Sequence, residues 1–437
     1  MKTRALVFER FALETRLGLF IDDRPVAIAQ ETPLIDRGPR AGAIYRAKAG
    51  ETTPDRRGQF FDIGEGEAFL PLGKSDRPHP QGARLLVQIR REREDGKSPI
   101  ITADAKLVGP FAVLSLSDGE ATVSTRIKGG EREDLRAVAA KAASGRAVAV
   151  RSEAAGRSDA LAADIARLSA RARGVSAVGD IGLALGVDAP IADALAQWGA
   201  SGLELAGADR ELSQIAELYD LDAPMTEHEN DLDEAFEFAA SDHAAMPGGG
   251  ALWFERTRAF IAVDVDLGGR ASSRDGGLRP IANEIMRGLR LRGLGGQVVI
   301  DFPARLARDA AAIRSVFAAA SADDPDTMGR VEVEKSGLVT LTRRASARDW
   351  RTLWTAPARG TAAAGRDWSL AYRALDAARS LERALRADRS ARLRLQAPTP
   401  VFNALKAARL EASLGELYGA RMQMEETTDG AIDIASF

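Results

Sequence analysis

Residues 260–266 read FIAVDVD and residues 298–302 read VVIDF, so two apolar runs carry aspartates at or near their ends. Apolar runs of this length, rich in Val, Ile and Phe, predict buried strands. Because strand side chains alternate between faces, Asp264 and Asp266 point the same way and can converge with Asp301 from a neighbouring strand. Carboxylate oxygens fixed at strand ends suit a hard cation such as Mg²⁺, which could activate water against a phosphodiester. The alternative is that these aspartates only end strands and begin turns.

The flanking sequence predicts that these two strands belong to one crossover unit. Pro247 and the glycines at 248–250 break the chain before a predicted strand, ALWFERTRAFIAVDVD. A predicted helix, ANEIMRGLRLRGLGG, then leads to residues 298–302. Ligands of strand–helix–strand units lie beyond the carboxyl ends of the strands, where Asp264 and Asp301 fall. A further helix (ARDAAAIRSVFAAASA) and paired strands (GRVEVEK and GLVTLTRR) complete this predicted domain.

The N-terminal part of the chain is predicted to be rich in β-structure. Residues 1–35 are typical of a short meander with a hairpin turn at Asp22-Asp23. Residues 38–104 hold short β runs separated by Gly, Pro and charge, which is typical of a five-stranded barrel of the OB type. Such barrels stack aromatic side chains on RNA bases. The aromatic candidates, each with a core position as the alternative, are Phe60, Phe61 and Phe69.

The remaining segments predict mixed structure. Residues 105–183 combine strands with a helix, SDALAADIARLSARAR, and residues 184–245 are acidic and mostly helical. His228 and His243 in that second region are interpreted as surface residues. The Gly- and Ala-rich TAPARGTAAAGRD predicts a linker, and the tail after it predicts a small α/β module.

Composition limits the class of protein. The 437 residues, 45% of them hydrophobic, are enough for about two to four domains. The sequence has neither a long uncharged apolar run nor a signal-peptide pattern in MKTRALVFERFALETR, so we expect a cytoplasmic protein. The absence of cysteine excludes disulfides and thiolate zinc sites. With a net charge of −3, any RNA-binding site must be a local basic patch.

Taken together, these segments resemble the RNase E/G family of bacterial endoribonucleases over essentially the whole chain. IYRAKAG followed by FFDIGEGEAFLPL is similar to the RNA-binding barrel of that family, and LLVQIRRE with DGKSPIIT follows it. VSTRIKGGERE and AVAVRSEAAGRS are similar to its 5′-sensor domain. GGGALWFERTRAFIAVDVDLGGRA, LRLRGLGGQVVIDF and SGLVTLTRR are similar to its catalytic domain. The resemblance is specific because several motifs occur in the order of the family.

The resemblance implies a multidomain α+β fold in which an OB-type barrel is inserted near an RNase H-like segment. The implied divisions are 1–37 (RNase H-like, first part), 38–104 (OB-fold RNA-binding domain), 105–183 (5′-sensor domain), 184–247 (RNase H-like, second part), 248–355 (DNase I-like catalytic domain), 356–368 (linker without a zinc site) and 369–437 (small C-terminal domain).

The resemblance also implies roles for single residues. Asp264 and Asp301 match the two magnesium-binding aspartates of the family. Asp266 stands where the family usually has Asn, and Arg330 lies near one of its catalytic arginines. The residues that match its grip on RNA near the 5′ end are Phe60, Phe69 and Lys97, and those that match its 5′-monophosphate pocket are Arg126, Arg151 and Ser152.

Departures from the family concern assembly and the catalytic segment. The zinc-link cysteines of the family are missing, and the histidines (His79, His228 and His243) precede the catalytic strands, so no zinc is expected. Trp350, Trp354 and Trp368 around the linker could anchor a zinc-independent homodimer or pack inside a monomer. The segment between the two matched aspartates is shorter than usual. The extra carboxylate at position 266 either strengthens metal binding or raises a carboxylate pKa.

The resemblance implies a Mg²⁺-dependent, single-strand-specific endoribonuclease of RNA processing and decay, acting on substrates such as rRNA and mRNA. Its products would carry 5′-phosphate and 3′-hydroxyl ends, and it would sense a 5′-monophosphate. The alternative is an RNA-binding regulatory relative with weak or no catalysis. The intact aspartate pair favours the enzyme, whereas the shortened segment favours the alternative.

Overall fold

The chain is a mixed α+β protein whose contacts divide it into two compact units. The first unit is Met1–Ile35 with His228–Phe437, and the second is Asp36–Glu227. In the part of the chain described below, no helix is both long and apolar enough to cross a membrane. The computed structural model describes residues 3–35, 38–93, 97–221, 231–268, 277–302, 306, 308–344, 349–357, 366–428 and 430–437.

The first unit begins with an antiparallel meander, as the sequence predicts. Its strands are β1 (Arg4–Phe11), β2 (Glu14–Ile21) and β3 (Arg24–Glu31). Asp22 and Asp23 form the turn between the last two strands with φ of 49° and 59°. Two consecutive residues in the left-handed region give the turn whose twist matches that of a hairpin, and Asp tolerates this region better than most residues.

The second unit opens with a closed five-stranded barrel, which confirms the predicted OB-type architecture. Its strands are β4 (Ile44–Thr52), β5 (Gly58–Asp62), β6 (Glu67–Pro71), β7 (Arg84–Arg91) and β8 (Ile100–Thr102). They pair in the order β4-β5-β6-β8-β7, and β7 closes the barrel on β4. Inward residues such as Tyr45, Phe61, Val87 and Ile101 form its core.

The rest of the second unit is a sheet flanked by helices. Its elements are β9 (Lys106–Val108), β10 (Ala112–Asp118), β11 (Ala121–Val123), α1 (Glu131–Ala143), β12 (Arg146–Val150), α2 (Ser158–Arg171), β13 (Gly182–Leu185), α3 (Pro190–Trp198), β14 (Glu204–Ala206) and α4 (Arg210–Leu218). The sheet order is β11-β12-β10-β9, while β13 pairs with β4 of the barrel. Strands β11 and β12 are parallel, so their carboxyl ends lie at the same edge.

The first unit resumes with a six-stranded sheet. Its elements are α5 (Leu232–Ala240), β15 (His243–Ala245), β16 (Ala251–Arg256), β17 (Ile261–Asp266), α6 (Leu278–Leu291), β18 (Gly296–Asp301), α7 (Ala310–Ala320), β19 (Glu332–Val333) and β20 (Leu338–Arg343). The order is β15-β16-β17-β18-β20-β19. The predicted crossover is confirmed, because β17 and β18 are parallel and α6 connects them. The single strand predicted for residues 251–266 is wrong, since β16 and β17 form an antiparallel hairpin.

Among the described residues of the first unit, only one face of this sheet is covered. Val263, Val265, Val298 and Ile300 point into a core that also contains residues of α6 and α7, such as Ile285. The residues that alternate with them on β17 and β18 are half-buried or exposed. The sheet therefore has one apolar face under helices and one open face.

The remainder of the first unit contains a short ribbon and a small α/β module. Its elements are α8 (Trp350–Trp354), β21 (Thr355–Pro357), β22 (Arg366–Trp368), α9 (Leu370–Ala387), β23 (Leu393–Pro398), α10 (Thr399–Ala407), α11 (Leu410–Tyr418), β24 (Met422–Thr427) and β25 (Asp433–Ser436). The last three strands pair in the order β24-β23-β25, as expected for an α/β module. Trp350 and Trp354 are buried and stacked 4.8 Å apart, whereas Trp368 is exposed and stacks on Tyr372. The interior alternative is therefore confirmed for the first two tryptophans.

Buried charges join the meander to α5 and α9. Arg379 donates to Glu14 at 2.5 Å, and Arg16 and Arg383 each donate to Asp233 at 2.5 Å. Burial by itself would raise the pKa of Asp233, but hydrogen bonds and charge from Arg383 and Arg16 lower it to about 2. Paired in this way, the buried charges avoid the large penalty of an isolated buried ion.

The names RNase H-like and DNase I-like, and the domain boundaries given above, stay predictions.

Candidate functional site

The predicted pair of carboxylates comes together in the sheet. Asp264 of β17 and Asp301 of β18 are direct partners across the parallel strands, so their backbones are about 4.8 Å apart. Both side chains are exposed on the open face, and Asp301 is the last residue of its strand. Directly opposed residues point to the same face, so the two carboxylates converge as the alternation of the sequence predicts.

Asp266 lies on the same face, but it has a local partner. Its Oδ1 accepts a hydrogen bond from the backbone N–H of Gly268 at 2.8 Å. Its neighbour across the sheet is Ala251. Among the described residues, no group of three or more His, Cys, Asp or Glu side chains is positioned to hold a metal ion. The arrangement is therefore a pair of carboxylates with a third that caps a turn.

The donor set of this pair fits Mg²⁺. Mg²⁺ prefers oxygen ligands and is commonly held by one or two carboxylates together with water and substrate phosphates. Asp264 and Asp301 supply two such carboxylates on an exposed face, with room for the remaining ligands. A structural zinc site would need four closed ligands, including thiolates or imidazoles.

The predicted catalytic residue Arg330 lies away from the carboxylate pair along the sheet. Leu338 is the partner of Asp301 on β20. Gly329, next to Arg330, donates to the carbonyl of Thr342 at 2.7 Å, four residues further along the same strand. Arg330 is thus about 14 Å along the sheet from the pair. The register does not bring it to the aspartates.

Lys335 is closer to the strand end, and the sequence reasoning missed it. It is exposed in the turn between β19 and β20. Gly337 in that turn accepts a hydrogen bond from the N–H of Phe302, the residue after Asp301. The sequence signal for this position is the hairpin formed by GRVEVEK and GLVTLTRR. Because β20 pairs antiparallel to β18, the turn before β20 lies beside the carboxyl end of β18.

Two aromatic residues extend the row of the carboxylate pair. His243 is the partner of Trp253, and Trp253 is the partner of Asp264. The two rings lie 5.1 Å apart with an interplanar angle of 31°. Trp253 is 43% exposed, which is unusual for so large an apolar side chain. His243 is an exposed residue, as predicted, whereas the position of Trp253 beside Asp264 does not follow from a single strand over residues 251–266.

The barrel carries an aromatic pair on its outer face. Phe60 and Phe69 are partners on β5 and β6, with ring centroids 5.3 Å apart. Both are half-buried, whereas Phe61 is fully buried in the core, so a stacking role is wrong for Phe61. Lys97 is exposed two residues before Pro99, whose carbonyl accepts from the N–H of Phe69 at 2.8 Å. The aromatic pair and the cationic side chain of Lys97 therefore lie on neighbouring segments of the barrel.

The predicted 5′-phosphate residues gather at one sheet edge. Val123 of β11 is the partner of Val150 of β12 in a parallel pair. Arg126 follows the first strand, and Arg151 and Ser152 follow the second, so these three residues come from adjacent carboxyl ends. Ser152 is half-buried at the start of a 3₁₀ turn.

One nitrogen of the Arg151 guanidinium is hydrogen-bonded within the protein. Its Nη1 donates to the carbonyls of Gly109 and Ala196, both at 2.6 Å. Burial lowers the pKa of its guanidinium, while the charges of Glu153 and Asp164 oppose that shift. These bonds fix the orientation of the guanidinium plane and leave Nε and Nη2 for an anion.

An OB-type barrel with half-buried aromatics on its outer face is an architecture found in nucleic-acid-binding proteins. Residues 204–346 match the sequence model described as the Ribonuclease E/G family. The part of the chain that carries the aspartate pair is therefore similar to the ribonuclease E/G family.

Proteins named ribonuclease E or ribonuclease E/G-like are also similar to the chain. Ribonuclease E of Escherichia coli (strain K12) is 26% identical over 345 residues, covering 66% of this chain and 32% of that protein. The chloroplastic Ribonuclease E/G-like protein of Arabidopsis thaliana is 26% identical over 267 residues, covering 51% of this chain and 26% of that protein. Ribonuclease E of Haemophilus influenzae is 25% identical over 345 residues, covering 66% and 36%. The chain thus spans about a third of the length of these relatives.

Proposed function

We propose that this protein is a Mg²⁺-dependent endoribonuclease that cleaves single-stranded RNA and leaves 5′-phosphate and 3′-hydroxyl ends. The observation that carries the proposal is the direct pairing of Asp264 and Asp301 at the carboxyl ends of parallel strands on an open face. The names of the relatives, Ribonuclease E and Ribonuclease E/G-like protein, support RNA as the substrate.

The residues at this site have distinct tasks. Asp264 and Asp301 would hold the metal, which would supply charge stabilisation to the phosphate and activate water. Lys335, exposed at the adjacent turn, offers a positive charge to a phosphate that approaches the open face. Asp266 fixes the turn after β17 through its bond to Gly268, and this holds the end of the strand in position.

The barrel supports the preference for single strands. Phe60 and Phe69 present ring faces on its outer surface, and a base stacks on such a face only when it is released from a duplex. Lys97 beside them balances the phosphate charge. This grip is independent of sequence, because every base has a π-face.

The 5′ end of the RNA is read at the edge formed by β11 and β12. Arg151 offers its remaining N–H groups and Ser152 its hydroxyl to a terminal monophosphate, in a charge-assisted arrangement. Arg126, exposed at the neighbouring strand end, adds a second guanidinium. A 5′-hydroxyl RNA lacks the charge that these groups would bind.

A second candidate function is RNA binding with little or no cleavage. It is supported by the position of Arg330, about 14 Å along the sheet from the aspartates, and by the commitment of Asp266 to Gly268. In that case the barrel would bind RNA in a regulatory role.

The test is the cleavage of a fluorogenic, 5′-monophosphorylated single-stranded RNA with and without Mg²⁺. Asp264→Asn and Asp301→Asn should each lower cleavage at least about a hundredfold, since loss of a ligand removes several kcal/mol of transition-state stabilisation. RNA affinity should change little. Glu255→Gln, an exposed carboxylate of β16 on the same face, is the matched control. Near wild-type cleavage by both asparagine variants would remove the assignment, and an inactive wild-type protein that binds RNA would establish the second candidate.

A further inference from the structure

The open face of the catalytic sheet carries an aromatic surface that the proposed chemistry does not use. Across the sheet, His243, Trp253, Asp264 and Asp301 form one continuous row of direct partners. Adjacent strands are about 4.8 Å apart, so the backbone at Trp253 is about 5 Å from that of Asp264 and about 10 Å from that of Asp301. Trp253 thus stands beside the carboxylate pair on the same face.

The ring pair is held in place from below. Arg292 is 3% exposed and stacks over the ring of Phe254 at 4.4 Å. It donates to the carbonyls of Ser241 at 2.8 Å and His243 at 2.7 Å, and so fixes the short edge strand β15. A buried guanidinium that bonds the carbonyl of His243 in the edge strand, and that of Ser241 just before it, orients the residue that stacks on Trp253.

The surroundings of Trp253 are small on the open face. Its same-face neighbours along β16 are Ala251 and Glu255, and the partner of Ala251 on β15 is Ala245. Ala251 and Ala245 are shorter than the indole, so Trp253 projects above the sheet on that side. A flat ring of stacking size therefore has room beside it.

We propose that Trp253 stacks on a nucleobase next to the phosphate held at Asp264 and Asp301, with His243 supporting the ring. This inference rests on the proposed function and adds a specificity element to it. Base–aromatic stacking is strongest for the larger ring system, so Trp253 favours a purine at that nucleotide. A second protein surface is a poorer occupant, because covering Trp253 would also bury the neighbouring carboxylate without a partner.

The experiment measures whether Trp253 and the base act together. Substrates are 5′-monophosphorylated single strands with a purine, a pyrimidine or an abasic site on either side of the cleaved bond. In wild type, removing the base should lower kcat/KM about fivefold to 150-fold, the equivalent of one stacked base. In Trp253→Leu, removing the base from the RNA should not change kcat/KM. Trp253→Phe should retain most of the wild-type fall in kcat/KM. Trp368→Leu, which removes a tryptophan of similar exposure (39%) elsewhere, is the matched control.

Binding gives a readout that does not need cleavage. In an Asp301→Asn background, single-stranded RNA should quench tryptophan fluorescence, and Trp253→Leu should abolish that quenching. If wild type does not cleave but quenching depends on Trp253 and on the base, the stacking inference stands and the proposed chemistry fails. If cleavage is normal and the abasic penalty is unchanged in Trp253→Leu, the stacking inference is overturned. It is also overturned if Trp253→Leu changes only the mass in light scattering, since the surface would then be an interface between copies.

Discussion

Gly58 offers a way to displace the barrel aromatics without touching them. A Cβ at this position would lie 1.9 Å from Cζ and 2.2 Å from Cε2 of Phe69. Real Cβ contacts are essentially never below about 3 Å, so in Gly58→Ala the ring of Phe69 must move off residue 58, which changes its contact with Phe60. The backbone at Gly58 is not in the left-handed region, so alanine adds no backbone strain. We expect the barrel to fold, because the displaced atoms are at the end of a side chain.

We expect Gly58→Ala to weaken the binding of RNA. One stacked base contributes about 1 to 3 kcal/mol, which is roughly a fivefold to 150-fold change in Kd. Fluorescence anisotropy with a labelled single-stranded RNA, in the Asp301→Asn background, should show Gly58→Ala weakened as much as Phe69→Leu. Gly130→Ala is the control, since its added Cβ would meet nothing within 4 Å. Wild-type affinity for Gly58→Ala together with a loss for Phe69→Leu would refute the steric reasoning, and wild-type affinity for both would refute the stacking role.

Further predictions concern the 5′ end, pH and metal. Arg151→Ala should abolish any preference for 5′-monophosphorylated over 5′-hydroxyl RNA, and equal wild-type rates on the two substrates would remove the sensor role. The pKa of Asp233 is lowered from its ordinary value of 3.8 to about 2. The ionised carboxylate therefore stabilises the fold fully at pH values above 3.8, and this stabilisation is lost as the pH falls towards 2. In urea unfolding, wild type should lose about 1 kcal/mol more than Asp233→Asn between pH 4 and 2, a value discounted for partial exposure. Light scattering should give the same mass before and after treatment with a zinc-selective chelator. If the protein instead contains stoichiometric zinc and dissociates when the zinc is removed, the prediction that zinc does not link protomers is wrong.

The sequence predicts those parts of the structure that depend on local patterns. Strand alternation and the crossover rule are enough to bring Asp264 and Asp301 together, and spaced β runs are enough to predict the barrel. Asp22-Asp23 marks its turn because few other residues tolerate two successive positive φ values. In each case the information lies within a few residues of the feature.

Other features lack the usual local signal or depend on residues that are distant in sequence. The turn after β16 lacks Gly, Pro and Asn, because the hydroxyl of Thr257 accepts from the N–H groups of Ala259 and Phe260 instead. Helix α1 was missed because its buried face consists of Leu135 and alanines in a polar sequence. The distance from Arg330 to the aspartates depends on the register of β20, which only the folded sheet determines.

The link between Glu14 and Arg379 has a consequence for the order in which the chain is made. The two partners are 365 positions apart, with Asp36–Glu227 between the two parts of the first unit. At about 5 to 20 residues per second, roughly 20 to 70 s separate the synthesis of the two residues. During that time Glu14 has only Gln30 of the meander as a hydrogen-bond donor and lacks Arg379, while the barrel has all its strands. The barrel can therefore begin to fold on the ribosome long before the first unit has all of its chain.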